Sequence, residues 1–130
     1  MSKYIGAVGI AVSELDTSAA FYTEMLGMVV LQTIEFPTMK EIVLGFEGVR
    51  GASVLLMQYT DGRSPGCEDD AVKLVFYVPD ANAILESVRD ANYVVHREAT
   101  EYPSMGGTII GFAKDPDGYL IELIQKPPKP

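Results

Sequence analysis

The chain has 130 residues, 48% of them hydrophobic, with eighteen acidic against ten basic side chains and a formal charge of −8. That length and apolar content suit one folded domain and argue against disorder. The acidic balance argues against nucleic-acid binding, which needs clustered Lys and Arg, and no apolar run is long enough to cross a membrane.

Met1 to Tyr4 lack the charged-then-apolar pattern of a secretory leader, so a cytoplasmic location is expected. The first strand is expected over Tyr4–Val12 and a helix over Asp16–Leu26, where Phe21, Tyr22, Met25 and Leu26 recur at helical spacing. Asp16 or Thr17 is the candidate cap at the helix start, and Gly27 ends it. Three strands follow, near Met28–Glu35, Glu41–Phe46 and Ala52–Tyr59.

Residues 60–70 read as a turn-rich linker without periodicity; its Cys67 is the only cysteine, an ordinary thiol rather than a nucleophile. The order then repeats: a strand near Val72–Val78, a helix over Asp80–Ala91 with Asp80 as its cap, and strands near Tyr93–Arg97, Thr108–Ala113 and Tyr119–Gln125. Residues 126–130, rich in proline, read as a loose tail.

The pattern is therefore an internal repeat of a βαβββ module, about 4–59 and 71–125. The fold class expected is α+β, one domain over 1–130. A single module has too little core to stand alone, so the two must pack together or against another chain.

Asp115-Pro-Asp-Gly118 is a turn in which Pro fixes φ, Asp bonds nearby amides and Gly accepts positive φ. In the strand after it, Leu120, Glu122 and Ile124 share one face while Ile121 and Leu123 share the other. A carboxylate among apolar neighbours is costly to bury unless a cation meets it. Either that face looks into a site, or Glu122 is simply exposed on an amphipathic strand.

Asp115-Pro-Asp-Gly-Tyr-Leu-Ile-Glu-Leu123 resembles the C-terminal motif of the vicinal oxygen chelate superfamily, which includes glyoxalase I, extradiol dioxygenases and bleomycin-resistance proteins. Val12-Ser-Glu-Leu-Asp16, followed by Phe21-Tyr22 and Leu26-Gly27-Met28, is similar to that family's first strand and helix. The resemblance spans nearly the whole chain. It implies a glyoxalase-like fold, with paired modules forming a curved mixed sheet around a cavity, and a homodimer.

Metal-binding members usually supply two ligands from each module. Carried over by position, the first falls on Ala7 and the second on Leu56, or on Gln58 if the register slips by two. The third falls on Lys73, and only the last, Glu122, keeps a ligand. Alanine and leucine offer no lone pair and a protonated lysine repels a cation, so no metal and no other cofactor is expected. The only histidine, His96, lies away from these positions and is read as a partly exposed structural or surface residue.

Lys73 and Glu122 are instead expected within ion-pair range. They form either a salt bridge that fills a vacated site or an acid–base pair in an apolar cavity. Strand parity groups Gly9 and Ala11 with Ala7, Val54 and Gln58 with Leu56, and Val75 and Tyr77 with Lys73 as its wall. Tyr77 is alternatively plain core. Thr100–Gly107 reads as a mobile loop over the cavity, with Tyr102 or Met105 touching ligand, or as a plain connection.

The leading functional expectation is a metal-independent isomerase or lyase acting on a small, mostly apolar oxygen-bearing metabolite through Lys73 and Glu122. The alternative is a drug- or metabolite-binding protein without turnover. Metal-dependent lactoylglutathione lyase stands behind both, because three of its four ligand positions are lost. In every case the partner is a small molecule.

Overall fold

A computed structural model describes residues 5–65 and 72–128. Cys67 and most of the linker's second half lie outside the described residues, as do the last two residues of the tail. The chain divides into two compact units, Met1–Cys67 and Glu68–Pro130.

In the first unit, β1 (Ala7–Ala11) is followed by α1 (Leu15–Leu26), β2 (Val29–Phe36), β3 (Met39–Gly45) and β4 (Ser53–Tyr59). The sheet order is β1-β4-β3-β2, with β1 parallel to β4 and the other pairs antiparallel. The second unit repeats this. Here β5 (Lys73–Tyr77), α2 (Ala81–Asp90), β6 (Val94–Tyr102), β7 (Thr108–Lys114) and β8 (Leu120–Gln125) give the order β5-β8-β7-β6. Both units are thus βαβββ modules, and the fold is α+β. Among the described residues no helix is long and apolar enough to cross a membrane.

Each helix covers one face of its own sheet. In α1, Leu15, Ser18, Phe21 and Tyr22 are buried, and the two aromatic rings meet edge to face at 5.2 Å. They face Ile10, Ile42, Leu44, Val54 and Leu56, so this module's core is a layer of aliphatic side chains under two rings. In α2, Ala81, Leu85 and Val88 do the same over Phe76, Ala113, Ile121 and Leu123. Gly27 ends α1 in the left-handed conformation (φ 72°), a cap that glycine adopts without Cβ strain.

The helix starts differ from expectation in one case. Asp80 caps α2 as its sequence position predicts, accepting from the Ala83 amide at 3.1 Å. At α1 the cap residue is Glu14, whose side chain makes no cap bond. Neither Asp16 nor Thr17 takes that place, because the helix already begins at Leu15.

β6 is longer than expected and carries two irregularities of register, between Val95 and Arg97 and between Arg97 and Thr100. It runs on to Tyr102 and turns through a short 3₁₀ segment, Pro103–Met105, into β7. Thr108 Oγ1 donates to the Met105 carbonyl at 2.7 Å, closing that turn. Residues 100–107, expected as a mobile loop or as a plain connection, are a strand end and a hydrogen-bonded hairpin turn.

Candidate functional site

Register fixes which side chains share a face. In the second module Val75, Glu122, Phe112 and Arg97 stand in one row across β5, β8, β7 and β6. The row on one side holds Lys73, Leu120, Lys114 and Val94, and the row on the other holds Tyr77, Ile124, Ile110 and Thr100. Leu74, Phe76, Ile121 and Leu123 alternate with these and face α2. Glu122 consequently lies on the sheet face that its module's helix leaves uncovered.

The Asp115 turn sets that register. Asp115 Oδ1 accepts from the Asp117 amide at 2.9 Å and the Tyr119 amide at 2.8 Å, and the Asp115 amide donates to the Tyr119 carbonyl at 3.0 Å. Gly118 takes φ 92°, which permits the tight return. With Asp115 opposite Tyr119, three steps back along each strand bring Phe112 opposite Glu122.

Lys73 Nζ lies 2.8 Å from Glu122 Oε1; the Lys73 side chain is 49% exposed and that of Glu122 11%. The ammonium offsets the charge of a carboxylate otherwise set among Val75, Phe112 and Ile124. No other described residue hydrogen-bonds or ion-pairs with this carboxylate, so Oε2 is available to a ligand. Arg97 stacks its guanidinium 5.5 Å from the Phe112 ring centre, and His96 meets the same ring edge to face at 6.5 Å. His96 is the extra residue at the first irregularity of β6 and is exposed.

Among the other expected residues, Tyr77 shares the Glu122 face and is 69% exposed, so it is not core. Lys126 Nζ lies 5.9 Å from its ring centre. Tyr102 pairs with Thr108, two rows from Glu122 on the same face, while Met105 is exposed in the turn beyond. Phe112 and Arg97 were missed from sequence. Counting outward from the Asp115–Tyr119 turn pairs Phe112 with Glu122; the irregular β6 left no comparable rule for Arg97.

The first module requires a correction of strand parity. Ala7, Gly9 and Ala11 pair with Ser53, Leu55 and Met57 on the face turned away from α1. Leu56 is fully buried on the opposite face, under the helix, and Val54 lies with it. Gln58 also points to the helix side, its Oε1 accepting from the Leu15 amide at 2.8 Å. Leu56 and Gln58 thus do not share a wall with Ala7, Gly9 and Ala11; Leu55 and Met57 do. A Cβ on Gly9 would sit 3.4 Å from the Met57 thioether, which confirms the shared face.

The repeat locates the counterpart of Glu122. The Val12 amide donates to the Met57 carbonyl and the Val78 amide to the Ile124 carbonyl, at 2.8 and 2.9 Å. Two residues back from each acceptor stand Leu55 and Glu122. The positions corresponding to the resembled family's ligands are therefore Ala7, Leu55, Lys73 and Glu122. Among the described residues no group of three or more His, Cys, Asp or Glu side chains could hold a metal ion. Ala7 and Leu55 offer no lone pair and the Lys73 ammonium repels a cation, so the residues at these positions do not fit a metal.

Comparison with known proteins places this geometry. A model of the Glyoxalase/Bleomycin resistance protein/Dioxygenase superfamily matches residues 4–123. A lactoylglutathione lyase of Haemophilus influenzae is 38% identical over 120 residues, covering 89% of this chain and 87% of the relative. A probable lactoylglutathione lyase of Vibrio parahaemolyticus is 39% identical over 121 residues, covering 89% and 86%. The trypanothione-dependent glyoxalase I of Leishmania major superposes with a TM-score of 0.80 at 28% identity, covering 95% of this chain and 87% of that one.

These relatives correct the leading functional expectation. Proteins named lactoylglutathione lyase match about nine-tenths of the chain at 38–39% identity, so the reading as a metal-independent isomerase or lyase of an apolar metabolite does not stand. The lactoylglutathione class, placed last from sequence, moves ahead of it.

Proposed function

The chain belongs to the glyoxalase/bleomycin resistance protein/dioxygenase superfamily, and on that footing we propose that it is a lyase acting on a thiol adduct of the lactoylglutathione class, with Glu122 carrying the proton. Lactoylglutathione is a thioester of a 2-hydroxy acid. Its conversion begins when a proton leaves the hydroxyl-bearing carbon, whose electron pair forms an enediolate. The hydroxyl proton passes to the former thioester oxygen and the carbon-bound proton returns to the neighbouring sulfur-bearing carbon, giving a hemithioacetal. Breaking that C–S bond releases the thiol and a 2-oxoaldehyde.

The observation that carries this reading is Glu122 itself. It is a nearly buried carboxylate on an uncovered sheet face, held through Oε1 by Lys73. A positioned carboxylate can take the proton from one carbon and deliver it to the next. The ammonium beside it can stabilise negative charge on the enediolate oxygens. Phe112, Val75 and Ile124 around it provide a face that excludes water from the reacting carbons. Tyr77, Tyr102 and Met105, on the same module as Glu122, are proposed to touch ligand.

The reading includes a homodimer, because each module covers only one face of its sheet with its own helix. Light scattering should give twice the chain mass. The activity is tested by supplying the preformed hemithioacetal of methylglyoxal and glutathione to the purified protein and following thioester absorbance. Thioester should form well above the buffer rate. A folded protein that leaves the hemithioacetal unchanged would overturn the lyase reading.

A further inference from the structure

Lys126 closes the sheet face that carries Glu122. Pro127 restricts it to extended backbone, so the alternation of β8 runs on past the strand end. Leu120, Glu122, Ile124 and Lys126 share the uncovered face, while Gln125 turns to the helix and caps it. Lys126 is exposed, and its ammonium bends back over the Tyr77 ring, 5.9 Å from the ring centre. Tyr77 stands two residues beyond Val75, the partner of Glu122, which is about 7 Å along the strand.

The first module builds a similar pair and neutralises it. Tyr59 lies four residues beyond Leu55, as Lys126 lies four beyond Glu122. The Arg63 guanidinium sits 4.3 Å from the Tyr59 ring centre, and Asp61 holds it at 2.6 Å. In the second module no carboxylate among the described residues pairs with Lys126. The chain's formal charge of −8 disfavours anions in general, so a local cation on this face decides whether one is held. An ammonium resting on an aromatic ring offers a carboxylate its charge and a flat amide its platform.

We infer that Lys126 and Tyr77 set which thiol the site accepts: one whose carboxylate ends a cysteinyl-glycine arm. This rests on the lyase reading, which puts the reacting carbons at Glu122 and the sulfur beside them. An extended two-residue arm spans about 7 Å. That length lays its amide on the Tyr77 ring and brings its terminal carboxylate to the Lys126 ammonium. The other arm of glutathione ends in an ammonium as well as a carboxylate, and Lys126 repels that ammonium.

The test measures, by calorimetry on the full chain, binding of S-butylglutathione and of its glycine carboxamide. Wild type should bind the acid about three- to tenfold more tightly than the amide, as for one partly exposed charge-assisted contact. Lys126→Met should abolish that preference, whereas Tyr77→Leu should weaken both ligands. Equal affinity of wild type for the two, no binding of either, or a Lys126→Met variant that keeps the preference would overturn the inference. Should a variant fail to fold, the wild-type comparison decides. Both thioethers lack the reacting carbonyl, so this selectivity is read separately from turnover. A protein that prefers the acid through Lys126 yet leaves the hemithioacetal unchanged would lose the lyase reading and keep the carboxylate subsite.

Discussion

Gln58 and Gln125 hold equivalent posts in the two modules. Each sits near the end of its module's last strand, and each accepts with Oε1 from the first amide of the helix, Leu15 at 2.8 Å and Ala81 at 2.9 Å. The first amides of a helix have no partner within it, so a strand-borne carboxamide serves as a cap from outside. In α2 the Gln125 bond supplements the Asp80 cap, whereas the Glu14 side chain makes no cap bond in α1.

Removing either carboxamide should therefore destabilise its module, and unequally. Gln58→Leu is expected to cost about 1–2 kcal/mol and Gln125→Leu about 0.5–1 kcal/mol, in the range for lost caps and buried hydrogen bonds. Urea unfolding of both variants checks this. A larger loss at Gln125 would contradict the account of α1.

Gly111 and Gly9 make a paired test of packing. A Cβ on Gly111 would stand 2.6 Å from Leu85 Cδ1 and 3.2 Å from the Ala99 Cα, so α2 or β6 would have to move. Gly111→Ala should cost about 1–3 kcal/mol by overpacking. Gly9→Ala meets the flexible Met57 thioether at 3.4 Å and Leu55 Cδ2 at an ordinary 3.8 Å, and should change stability by less than about 1 kcal/mol. Thermal unfolding of the two variants gives the comparison.

Much of this was legible in the sequence, for identifiable reasons. The Asp115 turn and the Asp80 cap rest on local chemistry that neighbours cannot override. The ion pair of Lys73 and Glu122 was legible through the family resemblance, which puts both residues at positions whose counterparts bind one common ion. The parity of β4 was not legible, because Val54-Leu55-Leu56-Met57 is apolar on both faces and offers no alternation to read. Anchoring on Tyr59 then put Leu56 one residue out of step with the repeat. The length of β6 was hidden by its polar, mostly exposed sequence and its irregular register.

Asp115→Ala should weaken the second module beyond an ordinary surface change. It removes the acceptor for two amides, at Asp117 and Tyr119, in a residue that is 4% exposed. A loss of about 1–3 kcal/mol is expected from the stranded donors. Hydrogen exchange should show β8 opening more readily, and unchanged protection there would count against the turn as the strand's anchor.

Lys73→Met separates the structural from the chemical role of the ion pair. Because Lys73 is half exposed, solvent screens the pair, and the stability cost is expected near 1 kcal/mol. If the ammonium stabilises an enediolate, kcat should fall by about tenfold or more, a larger effect than the lost stability explains. A variant with normal kcat and a lower melting temperature would leave Lys73 as a counter-ion only.

The central claim, that Glu122 carries the proton in a lactoylglutathione-class reaction, is tested most directly by Glu122→Gln. The carboxamide keeps the shape of the side chain and loses the base. Thioester formation from the methylglyoxal–glutathione hemithioacetal should fall by about 10²–10⁴-fold while circular dichroism and the melting transition show a folded protein. A folded Glu122→Gln variant that turns over the hemithioacetal at the wild-type rate would contradict the claim.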